Sequence, residues 1–503
     1  MRTADATTLA GSRPSATGVC LDAVDARSAP TMNPGDRPDP LGMPAAEMRR
    51  LGYWVVDRVV EHYESGVDGP SIRTGDAAEL RSVLGGPVPQ EPGDPRAALE
   101  TLVDVVLSQM QHGDHPRYFA RVPGPSSFAG VLGEWLGTGF NALASSWGGG
   151  SGPATVELIV LDWIRTLLGM PAGTEGVILS GGSLSNMTAL AAAREALGPG
   201  VAYLSDQTHA SVSRGLEALG FPPDQIRMLQ TDERFRLTAE VLTEAVRRDR
   251  DRGERPRFVI ATAGTTNTGA VDELDAIADV CVSEGLWFHV DGAYGAPAAF
   301  CDPGRAALSG LERADSLALD PHKWLFTPYD AGILLVRHPG TLERAFSMRP
   351  EYLADVRSES GDVRSESGGG GSESGEVSFG DRSLELSRRP RALKLWMMFR
   401  TYGARRISDA IERGITLAER AQAMIEANPT WECVTPAQLG IVTFTRPGWD
   451  AEEHASRVAA LTADGFATLT STMLRGRPVL RLCTINPRTT EADIAGTLAR
   501  LAA

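Results

Sequence analysis

Residues 176–186 read Gly-Val-Ile-Leu-Ser-Gly-Gly-Ser-Leu-Ser-Asn. The apolar run Gly176–Ser180 is too short for a helix and ends on a glycine pair, after which Ser185–Leu197 takes up helical spacing. That order predicts a buried strand, a tight turn and a helix. Downstream, short apolar runs recur at Val201–Ser205, Ile226–Gln230, Phe258–Ala263, Leu286–Val290, Ser316–Leu319 and Gly332–Val336. Helical segments such as Ala210–Leu219, Ala239–Arg248 and Asp272–Ser283 separate them. Strands apolar on both faces, alternating with helices, predict an α/β fold built on an open, mainly parallel, seven-stranded sheet. Ligands of such sheets bind beyond the carboxyl ends of the strands, so the strand ends are where chemistry is expected.

Around this centre the pattern changes. Residues 1–43 are rich in Ala, Ser, Thr, Pro and Asp without an apolar period and predict a tail lacking fixed structure. In 44–125, Met48, Leu51, Val55, Val59 and Tyr63 recur at helical spacing, as do positions in Ala97–Met110, which predicts an N-terminal helical layer. Helices over Ser126–Leu143 and Pro153–Leu168, split by the glycine-dense turn Ser145–Gly152, open a large domain spanning 126–345. Residues 346–382 contain DVRSESG twice in tandem, Asp355–Gly361 and Asp362–Gly368, then a glycine run, and predict a flexible loop. Strands at Ile441–Thr445 and Val479–Thr484, with helices near 453–463 and 491–501, give 383–503 the pattern of a small α+β domain.

Composition removes several functions. Of 503 residues 42% are apolar, enough for packed cores, and the net charge of −15 repels a nucleic-acid backbone or an anionic membrane surface. No apolar stretch reaches the roughly 18 residues of a spanning helix, and no apolar segment follows Arg2, Asp5 and Arg13 to make a secretory signal. Five scattered cysteines with no C-x-x-C pair suggest reduced thiols in a cytoplasm, with neither a disulfide frame nor a metal site.

Four strand ends carry reactive groups. In Leu319-Asp320-Pro321-His322-Lys323-Trp324 a lysine at the mouth of the sheet, partly desolvated beside a histidine, can give up its proton and form a Schiff base; an ordinary exposed lysine is the alternative. In His289-Val290-Asp291-Gly292-Ala293-Tyr294, Asp291 suits a cationic ring nitrogen and Ala293 leaves room for a flat ring, although a strand-end aspartate often only caps a helix. Ser180–Asn186 offers backbone N–H groups and Ser183 at a helix start, a cradle for phosphate. It has neither the dinucleotide nor the P-loop spacing, so a smaller phosphorylated cofactor is implied. His209, in Ser205–Ser211, is placed either to stack on a ligand ring or simply to begin a helix.

Taken together and in this order, the phosphate cradle, stacking histidine, strand-end aspartate and lysine after histidine resemble the pyridoxal-phosphate group II decarboxylases, the family of aromatic-L-amino-acid and glutamate decarboxylases. The likeness extends from about Pro44 to the C-terminus and includes Asp381–Gly403. It implies a fold type I, aspartate-aminotransferase-like large domain with pyridoxal 5'-phosphate as cofactor. Lys323 would bond it as a Schiff base, Asp291 would pair with its ring nitrogen, and His209 would stack on the ring. Gly182, Ser183 and His322 would hold the phosphate, Ala293 would leave space for the ring, and Thr265 would lie beneath it or else serve as a turn hydroxyl. Tyr352 corresponds to the family's mobile-loop tyrosine, the general acid that protonates the substrate carbon once carbon dioxide has left. Relatives with phenylalanine there divert toward oxidative deamination and an aldehyde, so the tyrosine favours an amine. The resemblance also implies a homodimer with shared active sites acting on a small-molecule amino-acid substrate.

The substrate pocket departs from the aromatic decarboxylases near Arg121, Val122 and Ser145, while Trp147 and Tyr329 remain as candidate pocket rings. Two readings of Arg121 stay open, an acidic substrate or a surface salt bridge. Arg388, Arg389 and Arg391 read first as a solvated helix start, with phosphate or carboxylate contact the minority alternative. Decarboxylation to an amine leads, aldehyde formation on the same scaffold comes second, and a non-catalytic scaffold is the remote third.

Overall fold

The computed structural model describes residues 39–66, 68–348 and 375–503. Tyr352, both DVRSESG repeats and all but the end of the expected N-terminal tail lie outside these residues. The chain divides into a short unit ending at Asp57 and a large one from Arg58 onward; the large unit holds every element discussed below.

Its centre is a seven-stranded sheet in the order β1-β7-β6-β5-β4-β2-β3. The strands are β1 (Glu175–Leu179), β2 (Val201–Ser205), β3 (Ile226–Leu229), β4 (Pro256–Thr262), β5 (Trp287–Asp291), β6 (Ser316–Leu319) and β7 (Gly332–Val336). Pairing is parallel throughout β6-β5-β4-β2-β3, and β7 runs against both β1 and β6. The expected mainly parallel sheet is therefore present. Strands β2, β5, β6 and β7 are buried along their whole length, which is why they read as unbroken apolar runs.

Turn chemistry sets the site. The helix Gly182–Leu197 starts directly after β1, and Gly332 lies so close beneath the turn that a Cβ there would meet the Gly181 Cα at 2.5 Å. The pair Gly181 and Gly332 thus lets backbone pass backbone where side chains would collide. The glycine-dense turn expected at Ser145–Gly152 is instead the start of the helix Trp147–Leu167, interrupted at Gly150. Ser146 explains the difference, since its Oγ accepts from Gly149 N at 3.1 Å and caps the helix.

The C-terminal part is a second, antiparallel sheet in the order β10-β11-β9-β8, made of β8 (Glu432–Gln438), β9 (Ile441–Thr445), β10 (Thr470–Leu474) and β11 (Arg477–Cys483). Helices Ala451–Ala463 and Glu491–Ala502 both begin in capping boxes, Asp450 with Glu453 and Thr490 with Asp493. Trp431, Val442, Phe444, Leu480, Leu482 and Ile494 form its separate core. The long helix Ala392–Glu426, broken at Gly403 where φ is 73°, leads into it.

Two of the three arginines before that helix are not solvated but make the carboxylate contacts of the minority reading. Arg388 is fully buried, its guanidinium forked onto Glu157 at 2.7 and 3.2 Å, and Arg391 is buried against Glu385 and Asp330; only Arg389 stays half exposed, paired with Glu134. A carboxylate 231 residues away in sequence leaves no local pattern, so the sequence made these side chains look like a polar surface.

Candidate active site

The carboxyl ends of β1, β2, β4, β5 and β6 open into one cavity of about 380 Å³, within the range of small-molecule sites. Gly182, Ser183, His209, Asp291, Ala293, His322 and Lys323 all line it. Seven expectations drawn from separate stretches of sequence therefore meet in one place.

Lys323 lies on the four-residue helix Pro321–Trp324 after β6. Its Nζ is 2.9 Å from Oδ2 of Asp320, a buried carboxylate three residues earlier. Burial pulls the lysine pKa down, but Asp320 and, more weakly, Asp291 outweigh it and hold the ammonium above the ordinary lysine range. This corrects the expectation of a lysine ready to lose its proton. Asp320 was the residue overlooked, although its i, i+3 spacing to Lys323 across a proline was visible.

Asp291 ends β5 and is buried. Burial raises its pKa, opposed by the Ala293 N–H donated to Oδ1 at 3.0 Å and by the charge of Lys323. Oδ2 accepts from Asn186 Nδ2 at 3.0 Å. Asn186 is a second overlooked residue: it stands in the quoted 180–186 segment but was read only as part of a helix start. At the opposite wall the helix Gly182–Leu197 begins with Gly182, Ser183 and Leu184 lining the cavity; Leu184 N and Ser185 N both donate to the Gly181 carbonyl at 3.0 Å, which leaves the N–H groups of Gly182 and Ser183 as the helix-start donors for a ligand. A Cβ on Gly182 would stand 3.0 Å from both Ala293 Cβ and Asp320 Oδ2, so only glycine leaves this wall open.

His209 caps the helix Ala210–Ala218, its Nδ1 accepting from Ser211 N at 3.3 Å and lying 2.8 Å from Ser211 Oγ, which leaves the exposed ring facing the cavity. His322 accepts from Ala331 N at 3.2 Å through Nδ1, so its proton sits on Nε2; burial lowers its pKa and keeps it neutral. The Tyr329 ring packs on it, 4.6 Å between centroids.

Other expected residues lie outside the cavity lining. Thr265 is buried with its hydroxyl 2.8 Å from Thr268 Oγ1 and 3.2 Å from Ala270 N, the turn role, while its neighbours Gly264 and Thr266 line the cavity. Trp147 packs partly buried against the main core. Arg121 is exposed with φ 51°, its Nη1 3.5 Å from the Gln111 side-chain oxygen, and among the described residues it forms no salt bridge. Tyr352 lies outside the described residues.

The model of the pyridoxal-dependent decarboxylase conserved domain matches residues 78–446 of this chain. The chain belongs to that family. It is 43% identical over 466 residues to the aromatic-L-amino-acid decarboxylase of Bacillus atrophaeus, covering 90% of this chain and 94% of that protein. Over 475 residues it is 33% identical to the phenylacetaldehyde synthase of Arabidopsis thaliana, again 90% and 94% covered. The crystal structure of Oryza sativa TDC with PLP and tryptamine superposes with a TM-score of 0.85 at 28% identity, covering 92% of this chain and 98% of that one. The protein is a fold type I, pyridoxal-phosphate-dependent amino-acid decarboxylase.

The decarboxylase's own residues fit that cofactor. The cavity is of ligand size, glycine-walled at the helix start, closed by the buried Asp291 carboxylate and edged by the Lys323 amine, which can bond an aldehyde reversibly as a Schiff base. Asp320 Oδ1, buried, has no hydrogen-bond partner among the described residues, an acceptor left for a ligand donor.

Because Asp320 holds Lys323 charged, and only the neutral amine bonds an aldehyde, Asp320→Asn should lower the pH at which apo-protein takes up pyridoxal phosphate. Growth of near-visible absorbance against pH measures it. A midpoint at or above the wild-type value would refute the role given to Asp320.

Proposed function

We propose that the protein decarboxylates an aromatic L-amino acid to its amine, working as a homodimer with shared active sites in the cytoplasm. The observation that carries the chemistry is the convergence of Lys323, Asp291, His209 and the Gly182–Ser183 wall on one cavity. The aromatic substrate is supported by the bacterial relative's name and by the tryptamine of the rice structure.

Bound pyridoxal phosphate supplies an electron sink for the pair left behind when the carboxylate departs. The chain supplies the rest. Lys323 Nζ would hold the cofactor's aldehyde carbon until the substrate amine replaces it, and is then free to move protons at the same place. Asp291 would keep a proton on the ring nitrogen through its charge; burial raises its pKa, and the cationic ring paired with it would oppose that rise. Gly182 and Ser183 N–H groups, with His322 Nε2–H, would hold the phosphate, and His209 would cover the ring. Tyr352 would protonate the substrate carbon. Thr265 would act only through its turn, presenting Gly264 and Thr266.

Dimerisation is supported by Leu132, Leu136 and Phe140, which stand 37%, 54% and 82% exposed at i, i+4 and i+8 on or just beyond the helix Phe128–Gly139. A cytoplasmic setting is supported by Cys281, Cys301, Cys433 and Cys483, all free thiols. Among the described residues no helix is long and apolar enough to cross a membrane.

The second reading, an aldehyde product, has one specific support in the phenylacetaldehyde synthase relative, and Tyr352 stands against it. Products from a panel of L-amino acids, read by mass spectrometry beside an oxygen electrode, separate the two. The expected result is an aromatic amine formed without oxygen uptake. Aldehyde with stoichiometric peroxide would establish the second reading, and turnover confined to acidic amino acids would overturn the aromatic assignment.

A further inference from the structure

Behind the cavity wall runs a file of buried polar side chains that the mechanism above does not use. Trp287, His289 and Asp291 occupy alternate positions of β5 and share one of its faces. Trp287 Nε1 donates to Ser316 Oγ at 2.8 Å; that oxygen lies 2.8 Å from His289 Nδ1; His289 Nε2 lies 2.9 Å from Asn186 Oδ1; and Asn186 Nδ2 donates to Asp291 Oδ2 at 3.0 Å. Asn186, His289 and Ser316 are at most 1% exposed, and Trp287 5%.

The polarity of this file follows from its two ends. An indole N–H can only donate, and an ionised carboxylate can only accept. If the Asn186 amide points its NH2 at Asp291, its oxygen faces His289 and needs a proton on Nε2. His289 Nδ1 then has a lone pair, which the Ser316 hydroxyl satisfies while its oxygen accepts from Trp287. Every donor points toward Asp291. In the reverse arrangement Asn186 turns its oxygen to Asp291, which must then carry a proton to avoid two facing acceptors, and Ser316 Oγ receives two N–H groups at once. The Ser316 backbone carbonyl, which draws a proton to the same imidazole, favours that reverse arrangement; the donor-only Trp287 favours the forward one.

We propose that Asn186, His289 and Ser316, anchored by Trp287, are positioning residues forming a one-way hydrogen-bond relay that keeps the Asp291 carboxylate ionised and aimed into the cavity. The relay gives Asp291 what burial takes away: its charge is stabilised by a chain of neutral donors in a region that water does not reach. Burial, opposed only by the Ser316 backbone carbonyl, brings His289 down to about 4, so its ring is neutral and can pass the polarity on without adding a charge of its own. The assignment rests on Asp291 being the partner of the cofactor's ring nitrogen, the reading given above.

Two measurements on the full-length protein test it. In 15N NMR of the apo-protein His289 should appear as the Nε2–H tautomer from pH 6 to 8; an Nδ1–H or doubly protonated ring would overturn the relay. Second, the dissociation constant for pyridoxal phosphate, read by absorbance and fluorescence, should rise roughly ten-fold or more in Asn186→Leu, the expected loss for a hydrogen bond to a buried charge. Ser316→Ala, which removes one hydroxyl and spares the fold, should weaken binding in the same direction, and Ser316→Thr should restore it. Wild-type constants in both Asn186→Leu and Ser316→Ala would overturn the relay while leaving the cofactor site intact. Wild-type protein that takes up no pyridoxal phosphate would instead overturn the reading of Asp291, and the relay with it.

Discussion

Lys323→Ala should leave the protein folded and colourless: near-visible absorbance that borohydride bleaches in the wild type is absent, and decarboxylation falls by more than roughly 10³-fold. Folding survives because the amine is held by one ion pair to Asp320 and by burial that works against its charge. Removing the ammonium leaves Asp320 unpaired in the cavity wall, which costs some stability and leaves the sheet untouched. The activity loss is large because two functions share one atom. Nζ is the amine at the cavity edge able to bond the cofactor, and it lies within reach of Asp320 for moving protons after the substrate displaces it. Far-ultraviolet circular dichroism, the borohydride-sensitive spectrum and carbon dioxide release are the three readouts. A variant that retains colour and more than a tenth of the activity would remove Lys323 from the centre of the site.

How much of this was legible in the sequence follows from what kind of contact each feature uses. The lysine, the aspartate and the glycine wall were readable because each lies within a few residues of a strand end, and strand ends are marked by a change from an unbroken apolar run to small and polar residues. Strands β8 and β10 were not readable. They are the two edges of the C-terminal sheet, half exposed, and β8 carries Pro436 at a shift of register, a proline that an edge or a bulge tolerates. Their apolar signal is correspondingly weak. The protonation state of Lys323 was misjudged on the histidine before it, whereas Asp320, at the visible i, i+3 spacing across Pro321, folds back to hold its ammonium. Trp147 and Thr265 were named by likeness to relatives and Arg121 as a departure from them; in this chain Trp147 packs on the core, Thr265 serves a turn, and Arg121 is exposed beside Gln111.

The largest expected loss of stability concerns a residue that touches no ligand. Arg388 donates to Glu157 Oε1 and Oε2, to the Ala144 carbonyl at 2.8 Å and to the Ile178 carbonyl at 2.5 Å, while Glu157 Oε1 accepts from Ile178 N at 2.8 Å. Both charged side chains are completely buried. Arg388→Met strands a carboxylate in the core, and breaking such a pair from one side costs about 3–5 kcal/mol. Replacing both partners, Arg388→Met with Glu157→Met, removes the stranded charge, so most of that loss should return, although Ile178 N loses its acceptor. Chemical denaturation of the two single variants and the double gives the coupling directly. Ile178 is on β1, immediately before the Ser180–Ser183 turn, so the single variant should also bind pyridoxal phosphate more weakly. The charge pair thereby holds the strand that leads into the glycine wall of the cavity. A single variant as stable as the wild type, or a double no better than the worse single, would show that Arg388 is held by its packing on Phe379 and not by its charge.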